Sequence, residues 1–208
     1  MPTHKPGVLA TIRTTENVEY VLRDAAGRVK PLFQENKLAA LLLKRGILSP
    51  NWINRPLGAL CVPFFGSFRQ SKLVANIITD AGRAAAASRI NGSGAAAAFT
   101  AIGIGTGTTA AAVGDTILQT EVTASGGAAS GVHALATAAV TVSRVTTTVT
   151  NDTAQLTGTI TFTGTVAVTE SGVFNADTNG TLLARQVFTV VNVVSGDSLT
   201  PTWKIRAN

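Results

Sequence analysis

The 208 residues carry a net charge of +6, yet only 13% of them are charged, against roughly 25% in an ordinary globular protein. Hydrophobic residues make up 45% and aromatics only 5%, so a core can form, but mostly from small and β-branched side chains. Several classes are excluded at once: no charge-free stretch reaches the roughly 18 apolar residues of a membrane-spanning helix, the single Cys61 forms no intrachain disulfide, and Met1–Pro6 lacks the apolar core of a signal peptide. A protein made and folded in a reducing cytoplasm is expected.

The charge is unevenly spread. Residues 1–80 hold eleven Lys/Arg and five Asp/Glu, whereas residues 81–208 hold six of each. A basic arm of residues 1–75 on a neutral body of residues 76–208 is the expected division. Such an arm suits docking on an acidic partner surface; nucleic acid is the less favoured partner.

Within the arm, Val18–Arg23 predicts a strand, Asp24–Arg28 a turn, and Val29 the return limb of a hairpin. A helix over about 36–45 follows, capped by Asn36 and stopped by Gly46. Leu38, Leu41 and Leu42, with Ala39, supply its apolar stripe. Lys44 and Arg45 sit in its last turn, where the helix dipole favours cations. Trp52, Ile53 and the run Leu57–Phe68, broken by Pro56, Gly58, Pro63 and Gly66, read as an irregular apolar segment that something must cover. A neighbouring subunit is the expected cover, which makes Trp52, Ile53, Leu57, Phe64, Phe65 and Phe68 the candidate inter-subunit contacts. Cys61, inside that run, is expected to be a buried structural thiol.

Leu73–Ile78 predicts a strand, and Asp80 caps an Ala-rich helix to about Arg89, ended by Asn91–Gly94. From Phe99 onward the pattern is β. Thr100–Ile104 is a first strand, Asp115 lies in a loop, and Ser125–Gly131 is a small-residue loop. Val140, Val142 and Val145 mark another strand. In Leu156–Val168, Leu156, Ile160, Phe162, Val166 and Val168 share one parity and threonines take the other, with Gly164 as a turn or bulge. Leu182–Val194 and Leu199–Arg206 supply the last strands, with Trp203 and Ile205 on the core face. Short strands at these spacings predict a mainly β fold, an antiparallel β-sandwich of immunoglobulin-like or jelly-roll-like type, with an extended N-terminal arm carrying one or two short helices.

No chemistry-bearing constellation emerges. Gly103, Gly105 and Gly107 lack the helix a phosphate cradle needs and read as close strand packing. His4 and His133 are the only histidines and lack metal-ligand spacing or a nucleophile elbow. Glu170 and Asp177 read as strand-end and turn residues. No enzyme activity, cofactor or metal is expected.

The pieces Ile78–Arg83, Ala101–Thr109, Asp115–Thr116, Leu118–Glu121, Thr169–Ala176, Thr181–Arg185, Gly196–Leu199 and Thr202–Ile205 occur in an order that resembles a family of tailed-bacteriophage virion structural proteins, described as tail-fibre-like, collar or head-associated. The resemblance covers about residues 76–205. It implies a structural protein of the neck, tail or capsid surface, located in the virion and assembled in the host bacterial cytoplasm. Its implied partners are other copies of itself and other virion proteins such as portal, adaptor, tail or major capsid protein, with no membrane partner. A receptor- or glycan-binding tail-fibre module is the alternative, although the chain has few aromatics for a sugar platform.

Overall fold

A computed structural model describes residues 14–55, 58–75, 77–94, 96–122 and 140–207. The first strand, β1 (Thr14–Arg23), leads through a turn into β2 (Val29–Lys30). Asp24 shapes the turn: its Oδ1 accepts from the amides of Ala26 and Arg28, both at 2.9 Å, and Gly27 supplies the positive φ. β3 (Leu32–Glu35), α1 (Lys37–Lys44), a 3₁₀ turn (Trp52–Asn54), α2 (Gly58–Phe65) and β4 (Gly66–Arg69) follow. The chain then runs through β5 (Lys72–Ala75), β6 (Ile77–Ile78) and α3 (Asp80–Asn91). The remaining strands are β7 (Ala101–Gly105), β8 (Glu121–Val122), β9 (Thr141–Val145), β10 (Thr153–Thr157), β11 (Ile160–Thr161), β12 (Val166–Phe174), β13 (Leu182–Val193) and β14 (Ser198–Ala207).

The fold is mainly β, with antiparallel sheets in a sandwich-like arrangement. One sheet runs β2-β1-β14-β10-β9, with β5 also on β1 and β11 also on β14; the other runs β6-β13-β12-β7-β8. A two-stranded ribbon, β3–β4, stands apart. Val18, Tyr20, Leu156, Leu199 and Trp203 of the first sheet share one core with Ile102, Ile104, Val173, Phe188 and Val191 of the second. Period-two patterning explains this, since alternate residues of a strand face the same side. Outside, threonines pair across strands: Thr157 with Thr202 at 3.3 Å and Thr159 with Thr200 at 2.9 Å.

The expected division at residue 75 is not what the chain does. β1 pairs with β14 along its whole length, from Thr14↔Ala207 to Arg23↔Ser198, and with β5 on its other side. Residues 14–23 are therefore an interior strand. The reason is plain in the pattern: Val18, Tyr20 and Leu22 alternate with Glu19, Val21 and Arg23, and β14 presents a complementary apolar face.

Other expectations shift locally. Leu73–Ile78 contributes to two strands, β5 on the first sheet and β6 on the second. Leu156–Val168 likewise spans β10, β11 and the start of β12, so its single parity holds while the chain crosses between sheets. The cap of α3 is Thr79, whose Oγ1 accepts from Gly82 N at 2.9 Å; Asp80 is already helical. The region 58–65 is helical despite Pro63, and α1 buries Ala39 and Leu43 while exposing Leu38 and Leu41. The 125–131 loop and both histidines lie outside the described residues.

The turn between β9 and β10 is built on one carboxylate. Asp152 Oδ1 accepts from Thr147 N at 2.8 Å, and Oδ2 from Thr148 N and Val149 N at 2.9 and 3.0 Å. The Val149 amide, then those of Thr147 and Thr148 and the Thr153 hydroxyl, hold this carboxyl well below the usual range, outweighing a desolvation that acts in the opposite direction. A depressed folded-state pKa contributes stability above the unfolded value of about 3.9, lost only as pH falls through the folded one. Titration of the Asp152 carboxyl carbon by NMR is expected to give a midpoint clearly below that of a free aspartate. An ordinary midpoint would mean the three amides do not converge on it.

Candidate interaction surface and its buried supports

After β2 the chain leaves the sandwich sheets, and it returns to them at β5. This excursion, residues 36–71, contains α1, the 3₁₀ turn, α2 and β4, and from Asn36 to Thr79 the sequence has no acidic residue. Its interior is aromatic. Phe33 packs edge-on against Trp52 at 5.3 Å and against Phe68 at 5.6 Å, and Trp52 against Phe65 at 5.4 Å. Asn36 ties the two helices together: its side chain accepts from Ala39 N at 2.9 Å, and its Nδ2 donates to Phe64 O at 2.7 Å.

The six candidate contacts separate into groups. Trp52 is only 5% exposed, and its Nε1 donates to Thr189 Oγ1 at 3.3 Å. Its cover is supplied by this same chain, which corrects the expectation that a neighbour must supply it. Ile53 and Phe65 are half-buried, and Leu57 lies outside the described residues. Phe64 and Phe68 do face solvent, 76% and 56% exposed. Leu60, 71% exposed, belongs with them, and its i,i+4 spacing to Phe64 is the signal in the sequence for it once 58–65 is known to be helical. Ile47, Leu38, Leu41 and Leu73 add further exposed apolar surface, and the exposed Lys37, Lys44, Arg45, Arg55 and Arg69 supply cations in the same stretch. Cys61 is half-exposed on α2 rather than buried.

At the neck of the excursion sits a buried ion pair. Lys72 Nζ, with no solvent exposure, lies 2.5 Å from Oε1 of Glu35, whose side chain is 4% exposed. Nζ also donates to Phe33 O at 2.8 Å and sits over the Phe188 ring. Thr189 N donates to the same Glu35 oxygen at 2.9 Å. Burial pushes the Lys72 ammonium below its ordinary pKa, against the opposing pull of Glu35. Gln34 completes the neck by exchanging two hydrogen bonds with the backbone of Leu73, at 2.7 and 3.0 Å. Beside it, a cavity of about 230 Å³ is lined by Glu35, Leu43, Val74, Ile77 and Phe188 among others.

A second ionic centre holds the 106–120 loop onto the second sheet. A register shift between Val168 and Glu170 in β12 aims the Glu170 side chain at this loop. Glu170 Oε1 accepts from Gly107 N at 3.0 Å and Thr120 N at 2.8 Å. Oε2 accepts from Gln119 N at 3.0 Å and Arg185 Nε at 2.8 Å. Arg185 also reaches Asp115 Oδ2 at 2.8 Å and Thr109 O at 3.1 Å. The glycine series has its explanation here: a Cβ on Gly105 or Gly107 would lie 2.4 Å from Glu170 Oε1. The glycines make room for a buried carboxylate, and Glu170 is a mid-strand hub rather than a strand-end residue. Among the described residues, no cluster of three or more His, Cys, Asp or Glu side chains is placed to hold a metal ion.

No protein family, curated protein or solved structure matches the chain.

Proposed function

We propose that the chain is a structural subunit of a bacteriophage virion, of the neck, tail or capsid surface, which assembles into a symmetric oligomer. The observation that carries the assembly is the excursion's surface. Leu60 and Phe64 stand in solvent beside an aromatic cluster, Phe33, Trp52, Phe65 and Phe68, that is complete without them. Folding gains nothing from keeping them exposed, whereas association does. The virion setting is supported by the pieces that carry the family resemblance. They include β7, much of β12, the start of β13 and the Glu170–Arg185 centre on the second sheet, and part of β14 on the first.

Sedimentation velocity over a wide concentration range tests the assembly. The wild-type chain is expected to sediment as a discrete oligomer. The double substitution Leu60→Ser, Phe64→Ser is expected to shift it to monomer while leaving the melting temperature nearly unchanged, because these side chains support little of the fold. A wild-type chain that stays monomeric throughout would overturn the reading. Labelled antibody on intact particles tests the virion setting directly, with decoration of the neck, tail or head expected.

A further inference from the structure

We infer that the cavity beside the neck receives the Phe64 ring of a second copy of this chain. The inference rests on the assembly reading and names the surface on the second copy that takes up the excursion.

The ring is set out by its backbone. Asn36 holds two successive carbonyls: its Nδ2 donates to Phe64 O at 2.7 Å and its amide to Phe65 O at 2.8 Å. Phe65 packs inward on Trp52, so the adjacent Phe64 is turned out. Phe64 is the most exposed large hydrophobic side chain among the described residues. A ring already held in place loses little freedom on binding, which favours association.

The cavity suits such a ring. About 230 Å³ lies between α1, β5, β13 and the 106–120 loop, and an apolar cavity of about 150 Å³ already takes up benzene. Leu43, Val74, Ile77 and Phe188 form its inner walls, while Leu41 and Leu73 line it and stand exposed, so that it opens to solvent between them. The two Gln34 hydrogen bonds to the Leu73 backbone brace that mouth. A seated ring covers Leu41 and Leu73 as well as itself.

Charge favours this pairing over the excursion packing on its own copy. The stretch that carries Phe64, residues 53–71, holds Arg55 and Arg69 and no acid, and neither arginine makes an ion pair among the described residues. Face to face, two such stretches would set cation against cation. The loop side of the cavity is different. Asp80 N donates to Val113 O at 2.7 Å, and Asp115 accepts from Ala112 N at 2.8 Å, next to the lining Ala110 and Ala111. Both carboxylates already face arginines of their own chain, Arg83 and Arg185, which leaves that side near neutral, and Lys44 is the one cation among the lining residues. Ring and cavity lie on different elements, so unlike patches meet: a twofold pair makes the contact twice, a closed ring of subunits once per neighbour.

The test uses the full chain in sedimentation velocity. Ala40→Trp and Ala75→Trp fill the cavity from two walls, on α1 and β5; Phe64→Ser removes the ring. Each variant alone is expected to be monomeric, with a cooperative melt near the wild-type temperature. Mixed in equal amounts, Phe64→Ser, which keeps the cavity, and Ala40→Trp, which keeps the ring, are expected to form a 1:1 complex, a rescue that misfolded variants do not give. Monomers that stay apart on mixing overturn the inference. Filled variants that hold the wild-type oligomer, while Leu60→Ser, Phe64→Ser falls to monomer, overturn it and leave the assembly reading standing. A monomeric wild type overturns both.

Discussion

A fragment comprising residues 76–208 is expected not to fold, whereas one comprising residues 14–208 is expected to match the full chain. The first cut follows the boundary that composition suggests; the second follows the sheet. Removing β1 strips β14 of a neighbour along its whole length and opens the edge next to the buried Trp203. It also removes Val18, Tyr20 and Leu22 from the core. At about 1.5–3 kcal/mol for each fully buried side chain of this size, the loss is on the order of 5–9 kcal/mol. That is comparable with the whole stability of an ordinary domain, about 5–15 kcal/mol. The cut also removes β5 and the Lys72–Glu35 neck. Near-ultraviolet circular dichroism and amide dispersion by NMR would check it. A fragment 76–208 that melts cooperatively near the full chain's temperature would show that the sandwich closes without its first strand.

The contrast between these cuts marks what is legible in the sequence. Strands reveal themselves through alternation, so β7, β9, β13 and β14 are foreseen close to their observed bounds, and β1 from Val18 onward. Pairing is another matter. Nothing local to Val18–Arg23 indicates that its partner is Ser198–Ala207, and the basic composition around it points instead to an arm. Parity survives while topology is lost: Leu156, Ile160, Phe162 and Val168 all reach the core, yet the chain changes sheets among them. In α1 the larger side chains mislead, because close packing buries the small Ala39 while Leu38 and Leu41 stay out. Trp52 reads as needing a partner because its partners Phe33 and Phe65 are brought to it only by the fold. Glu170 is invisible as a hub for the same reason: three of its donors, Gly107, Gln119 and Thr120, are backbone amides of a distant loop. Gly105 and Gly107 are the one trace of it, and they can be interpreted only once the carboxylate is seen to need the space.

Glu170 is the position where a single substitution is expected to cost most. Its two oxygens accept four hydrogen bonds, three from backbone amides and one from Arg185. Glu170→Ala leaves the buried Arg185 with only Asp115 and the Thr109 carbonyl and frees the 106–120 loop, so a loss of about 3–5 kcal/mol is expected, the range for breaking a buried pair from one side. Glu170→Gln is the sharper test. An amide offers one acceptor oxygen and one donor NH₂, while both carboxylate oxygens here face donors only. Either orientation of the amide sets its NH₂ against N–H groups, Gly107 and Thr120 on one side or Gln119 and Arg185 on the other. Glu170→Gln is therefore expected to lose nearly as much as Glu170→Ala despite its matching shape. Urea midpoints at unchanged slope would measure both losses. The double variant Glu170→Met, Arg185→Met is expected to recover part of the loss, because it leaves no unpaired guanidinium, although the three loop amides still lack an acceptor. A Glu170→Gln protein within about 1 kcal/mol of wild type, the typical worth of one ordinary hydrogen bond, would mean that the loop is held by its backbone contacts and not by this carboxylate.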